Sequence, residues 1–141
     1  DLLVDFLDWL VEEFAAAVDD DAVGGQEARI RSVFEMLVPP ATDDEAGDIR
    51  LSLLDLRMRA PRDERFAERF AALDERVAGE FEAAVREGIA RDRFREVDPE
   101  YVAGTLLSIA QGAALRQLTA DRTEREDAVR AMEDLVERLR T

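Results

Sequence analysis

The side chains that could support chemistry in this sequence belong to few types. The 141 residues include no Cys and no His, which excludes thiolate metal sites, imidazole ligands and imidazole general bases. All 19 basic residues are Arg, so Schiff-base lysines and the lysine of a phosphate-binding loop are excluded as well. Carboxylates, with 34 Asp and Glu, are the plentiful candidates that remain.

The spacing of the carboxylates selects no site. A calcium-binding loop counted from Asp19 finds the required Gly at Gly24, but Ile30 stands where a bidentate Glu is needed. The Ser and Thr hydroxyls have no imidazole or lysine to activate them. We therefore expect no metal site, no cofactor and no enzyme activity. A carboxylate acid/base pair is the enzyme alternative that stays open.

Two arginines carry more specific information. Arg50 and Arg57 lie in a predicted helix between two apolar stripes, and a guanidinium withdrawn from water must find a carboxylate, a carbonyl oxygen or a ligand. An internal ion pair and the recognition of an acidic ligand are both open for them. Acidic helix faces, such as the one with Asp74, are expected to be solvated surface.

The net charge and the hydropathy pattern limit the partners. A net charge of -15 repels nucleic-acid phosphates, so this chain alone is not expected to bind DNA. Such acidity without Lys is typical of proteins from a very salty cytoplasm, which suggests a halophilic source. No apolar run approaches the roughly 18 to 20 residues that cross a bilayer, and the acidic start does not resemble a signal peptide. We expect a cytoplasmic protein with no membrane partner.

The elements that position these residues are predicted to be helices. Only seven Gly and four Pro interrupt the sequence, and the apolar spacing between them is helical, which predicts one all-α domain over residues 1–141, a single helical bundle of five to six helices. The expected helices cover about residues 1–18, 26–38, 43–60, 99–118 and 122–140, with a helix of about 30 residues through Phe66 and Ile89.

One segment is similar to a known family. Residues 86–100, REGIARDRFREVDPE, followed by YVAGTLLSIAQGAALRQL, resemble the C-terminal regulatory domain of the tetracycline-repressor (TetR/AcrR) family. The features that carry the resemblance are Glu87-Gly88-Ile89 at the end of a long helix, Phe94 after a short turn, and Asp98-Pro99 at the start of the next helix. The opening DLLVDFLDWL is similar to the helix that follows the helix-turn-helix in family members.

The resemblance implies a function. It implies an effector-binding, homodimerising domain of a transcriptional regulator, a repressor released from DNA by a small apolar ligand. DNA would be bound only through an N-terminal helix-turn-helix, which we expect to be missing because no basic recognition helix precedes Asp1. The alternative is a helical dimerisation or partner-interaction domain without an effector. An interior with no cavity above about 300 Å³ would favour that alternative.

The family arrangement also suggests where the sites lie. Ligand-binding residues are expected among the first five helices, on the basis of residue type and helix face: Phe6, Trp9, Leu10, Phe34, Leu54, Arg57, Met58, Phe70, Leu73, Val77 and Leu106. A four-helix dimer interface is expected on the last two helices: Gly104, Leu107, Ser108, Gly112, Ala114, Leu118, Met132, Val136 and Leu139. The sequence leaves the identity and polarity of the effector, the operator and the choice between repressor and activator open.

Overall fold

The computed structural model describes residues 1–20, 24–40, 44–119 and 123–141. Within these ranges the chain forms six α-helices: α1 (Leu2–Asp20), α2 (Gln26–Leu37), α3 (Asp44–Arg57), α4 (Glu64–Ala90), α5 (Pro99–Arg116) and α6 (Thr123–Leu139). A short 3-10 helix, Ala60–Arg62, joins α3 to α4. The predicted all-α bundle is confirmed, and the helix ends differ from the expected ones by a few residues only.

Two of the helices, α4 and α5, begin where an aspartate side chain caps them. The Asp98 carboxylate accepts hydrogen bonds from the backbone N–H groups of Glu100 and Tyr101, at 3.1 and 3.4 Å, at the start of α5. The Asp63 carboxylate caps α4 in the same way through the backbone N–H of Arg65 at 3.0 Å. The side-chain hydrogen bond from Arg65 is the main reason that the pKa of Asp63 lies below its usual range.

Helix α4 is the centre of the bundle. It contacts α1, α2, α3 and α5, and its inner face buries a run of large side chains spaced by three and four residues. Burial of each such side chain stabilises the fold by roughly 1.5–3 kcal/mol relative to exposure. These residues form the predicted periodic run and, apart from Ile89, which is half-buried, they are all buried: Phe66, Phe70, Leu73, Val77, Phe81 and Val85.

The connection between α4 and α5 is closed by the motif that carries the family resemblance. The backbone N–H groups of Arg93 and Phe94 both donate to the carbonyl oxygen of Gly88, at 2.8 and 3.0 Å, and Asp92, directly before them, takes a left-handed φ of 57°. The Phe94 ring lies directly on Gly88, where a Cβ atom would come within 2.2 Å of Cδ2. Gly88 is therefore required by a close approach of the ring to the backbone.

The same turn fixes the end of the chain. The backbone N–H of Arg95 donates to the carbonyl oxygen of Leu139 at 2.8 Å, and the backbone N–H of Thr141 donates to the carbonyl oxygen of Arg93 at 3.1 Å. Phe94 and Arg140 thereby form an isolated antiparallel bridge. The end of α6 is held against the α4–α5 turn.

Candidate ligand-binding cavity

A cavity of about 230 Å³ lies between α3, α4 and α5. It exists because α3 packs mainly against α1 and α4 and so leaves space between itself and α5. Single side chains from α1 and α2, Phe14 and Leu37, also line it. The cavity is partly open to solvent, and Met58, which is 75% exposed, lies at its rim.

The structure brings one part of the expected ligand-binding set together around this cavity. The expected residues on α3 and α4, together with Met58 directly after α3, line it: Leu54, Arg57, Met58, Phe70, Leu73 and Val77. Each of the two helices thus presents the expected face to the same space.

The rest of the expected set lies elsewhere. Leu10, Phe34 and Leu106 are buried in the packed core and do not reach the cavity. Phe6 and Trp9 are 41% and 54% exposed, and they stack on each other on the surface of α1 with ring centroids 6.2 Å apart. These five residues were expected to line the cavity, and their positions show that they do not.

Several lining residues were not expected from the sequence. Asp74 was expected in a solvated acidic face, yet it lines the cavity one helical turn from Phe70 and Val77. That spacing was the signal that could have revealed it, because residues three or four apart share a helix face. The other unexpected contributions, in addition to Phe14 and Leu37, come from α3 and α5: Arg50, Leu53, Leu107, Gln111, Ala114 and Leu115.

Arg57 is held by an internal ion pair. Its Nη2 and Nη1 atoms donate to the Oδ1 and Oδ2 atoms of Asp74 at 2.7 and 2.9 Å, a bidentate arrangement. The Gln111 Nε2 atom also donates to Oδ1 of Asp74, at 3.1 Å. The Arg57 guanidinium carbon lies 4.6 Å from the centre of the Phe70 ring, within range of a cation–π interaction. Of the two roles left open for Arg57, the structure therefore shows the ion pair.

Arg50 has a different environment. Its Nη1 atom donates to the carbonyl oxygen of Met36 at 3.5 Å, the outer limit of a hydrogen bond. Among the described residues no carboxylate forms an ion pair with it. Burial, and secondly the positive charge of Arg57, lower the pKa of Arg50 to about 10, so the guanidinium is still charged at neutral pH. The cavity thus contains a cation without a matching anion from the described lining.

The residues expected in the subunit interface differ in exposure. Met132, Val136 and Leu139 are buried within this single chain, where α6 packs against α2 and α5, so helices of the same protomer cover these three side chains. Leu107 and Ala114 line the cavity.

The other members of that set form an exposed, uncharged stripe along α5. Two further exposed residues, Tyr101 and Leu115, complete what we call the α5 stripe; Leu115 also lines the cavity, and Leu118 lies just beyond the end of α5. The members of the α5 stripe are Tyr101, Gly104, Ser108, Gly112, Leu115 and Leu118. A Cβ atom at Gly104 or Gly112 would meet nothing within 4 Å in the protomer. Packing inside the protomer therefore does not require glycine at these positions.

Neither a metal site nor a membrane span is found in the described chain. No group of three acidic residues in the described ranges is placed to hold a metal ion; Asp21, the last of the three consecutive aspartates, lies outside them. No helix in those ranges is long and apolar enough to cross a bilayer.

The fold is of the class of all-helical domains built around one long central helix, and comparisons identify the family. Residues 26–141 match the family described as BetI-type transcriptional repressor, C-terminal. A TetR transcription regulator from Haloarcula marismortui ATCC 43049 is similar over 100% of this chain and 78% of its own, with 33% identity and a TM-score of 0.89. This chain belongs to the TetR family of transcription regulators, as the resemblance implied.

A second solved structure shares the fold. It is a bacterial regulatory protein of the tetR family from Rhodococcus RHA1, similar over 98% of this chain and 72% of its own, with 19% identity and a TM-score of 0.67. At this identity the likeness concerns the fold alone. No curated protein gives a significant match to the sequence.

Proposed function

We propose that this chain is the effector-binding, homodimerising domain of a TetR-family repressor and that the cavity between α3, α4 and α5 is the effector site. The observation that carries the proposal is a mostly apolar cavity of about 230 Å³ in a chain of this family. Its volume is below about 300 Å³, so by the volume criterion alone the cavity favours the interaction-domain alternative; the apolar lining and the family support the effector site. The volume limits the effector to a small molecule.

The proposed mechanism is a population shift that begins at α3. This helix contacts α1 on one side and the cavity on the other. An effector that prefers one spacing of α3 and α4 biases α1, the helix expected to continue toward a helix-turn-helix. The shift in operator affinity equals the differential binding energy, typically about 1–3 kcal/mol. We place the regulator in the cytoplasm, with DNA contacted by that helix-turn-helix and not by this domain.

A matched pair of variants on α3 tests the effector site. Leu54 lines the cavity, whereas Leu51 on the same helix is exposed and does not. We expect Leu54→Trp to fill part of the cavity and to abolish the thermal stabilisation that small apolar molecules give to the wild type, while Leu51→Trp retains it. If none of the small apolar molecules tested stabilises the wild type or Leu51→Trp, the interaction-domain alternative is favoured.

The α5 stripe is the proposed dimer surface. Small residues at four-residue intervals allow two helices to approach closely, and two α5 stripes related by a two-fold axis would cover each other. We expect Gly112→Glu to convert the dimer into a monomer in sedimentation equilibrium. Gly79→Glu, on an exposed face of α4 with equally open space, is the control that keeps the dimer. A dimer unchanged by Gly112→Glu would remove the α5 stripe from the interface.

A further inference from the structure

The charge inside the cavity is unlike the charge of the rest of the chain. The described charged side chains that line the cavity are Arg50, Arg57 and Asp74. Asp74 neutralises Arg57 through two hydrogen bonds of 2.7 and 2.9 Å. Among the described lining residues, the positive charge of Arg50 is then the one without an ionic partner, in a mostly apolar space, although the chain as a whole carries a net charge of -15.

Arg50 has a structural contact that does not use up its hydrogen-bonding capacity. The Met36 carbonyl oxygen belongs to the last turn of α2, where a positive charge is favoured by the helix dipole. That contact, at 3.5 Å, engages a single N–H group, whereas a guanidinium carries five donors. Within the described part of the chain, the hydrogen bond to Met36 therefore leaves most of the guanidinium donors available to a molecule in the cavity.

We propose that the effector is a small amphipathic monocarboxylate whose carboxylate is bound by Arg50 and whose apolar body fills the space between α3, α4 and α5. The proposal rests on the proposed function, since it names the chemical class of the effector at that same site. Guanidinium and carboxylate groups match each other in shape and can form two parallel hydrogen bonds. The apolar lining residues, such as Leu54, Leu73 and Val77, suit an aliphatic or aromatic body.

Other charge types fit this space less well. A neutral apolar molecule would displace water from Arg50 and leave its charge without a partner, which is costly. A cation would meet two guanidinium groups and one carboxylate that is already paired. The acidic surface opposes the approach of an anion, but salt at 0.1–0.15 M screens this field beyond about 8–10 Å.

The surroundings of Arg50 also favour an anionic ligand. Its pKa is lowered to about 10 because burial and the neighbouring Arg57 disfavour the charged form. A bound carboxylate acts in the opposite direction and stabilises that form. A bound anion therefore offsets part of the cost of burying Arg50, whereas an uncharged ligand of the same shape does not.

The test compares three probes of the same chain length by isothermal titration calorimetry: octanoate, octan-1-ol and octylammonium. We expect octanoate to bind at least about tenfold more tightly than octan-1-ol, and octylammonium to bind most weakly. In Arg50→Gln the preference for octanoate over octan-1-ol falls to about one. Arg59→Gln removes the same charge from an exposed position beyond α3 and is expected to keep the wild-type preference.

The outcomes separate this inference from the proposed function. If octan-1-ol or octylammonium binds the wild type as tightly as octanoate, the cavity is a ligand site but the carboxylate assignment is overturned. If none of the three probes binds, the inference fails together with the effector site. If Arg50→Gln does not fold, Arg50→Lys is used instead, because it keeps a charge at the site and is expected to retain the preference for octanoate. Loss of the octanoate preference in Arg50→Lys overturns the assignment. An unchanged octanoate preference in a folded Arg50→Gln also overturns it.

Discussion

The contact between Gly88 and Phe94 predicts that one added methyl group destabilises the domain. In Gly88→Ala the new Cβ would lie 2.2 Å from Cδ2 and 2.6 Å from Cε2 of Phe94, so the ring must retreat by about 1.2 Å to reach an ordinary contact near 3.4 Å. Phe94 is only 2% exposed, and its displacement forfeits much of the roughly 3–5 kcal/mol that a buried Phe is worth. Alanine recovers about 1 kcal/mol of helix propensity.

The expected net loss is therefore about 2–4 kcal/mol in the free energy of unfolding. With an m-value of about 2 kcal/mol/M, the midpoint of urea unfolding falls by about 1–2 M. The assay is circular dichroism at one fixed protein concentration, because association of subunits also contributes to stability. Gly79→Ala is the matched control on the same helix: its Cβ meets nothing within 4 Å, so a small gain in stability is expected.

A double-mutant cycle identifies the cause of the loss. With Phe94→Ala as the background the ring is gone, and we expect Gly88→Ala to become neutral or stabilising. The reasoning is refuted if Gly88→Ala is as stable as the wild type. It is equally refuted if the substitution costs the same with and without the Phe94 ring.

Further predictions concern charges. Asp74→Asn removes the ionic partner of Arg57 and is expected to lower the free energy of unfolding by about 1 kcal/mol, since both side chains are about one-third exposed. Asp134→Asn, at an exposed position of α6, is the control, and equal unfolding midpoints for Asp74→Asn and the wild type would contradict the prediction. Asp63→Ala removes the cap of α4 and lowers the melting temperature at pH 7. Because the folded-state pKa of Asp63 is depressed, this difference is full above the usual aspartate pKa of about 3.9 and vanishes as pH falls through the folded-state pKa; a difference independent of pH would argue against the cap. A halophilic surface predicts a higher melting temperature at molar salt than at 0.1 M, and a melting temperature indifferent to salt would remove that inference.

The helices were predictable because strong local signals mark them. Pro39-Pro40 follows the end of α2, and Asp98-Pro99 both caps and opens α5. The buried face of α4 follows directly from its spacing by three and four residues. Such signals depend on neighbours along the chain, so a single sequence contains them.

The cavity was only partly predictable because periodicity shows which face is buried but not what covers it. Phe34 and Leu106 have the same apolar helical spacing as the lining residues, yet they pack in the core. The apolar seam of α6 illustrates the same point. Met132 and Val136 are covered by helices of their own protomer, although their spacing fits a subunit interface equally well. Which helix covers a seam depends on the tertiary arrangement.

The most direct test of the effector site uses methionines as reporters. Met58 lies at the rim of the cavity, whereas Met132, on α6, is 1% exposed and does not line the cavity. In methyl-labelled NMR spectra titrated with octanoate and with octan-1-ol, we expect the Met58 resonance to shift in a saturable way with at least one of the two probes while Met132 stays in place. A Met58 resonance that neither probe moves would contradict the assignment of this cavity as the effector site.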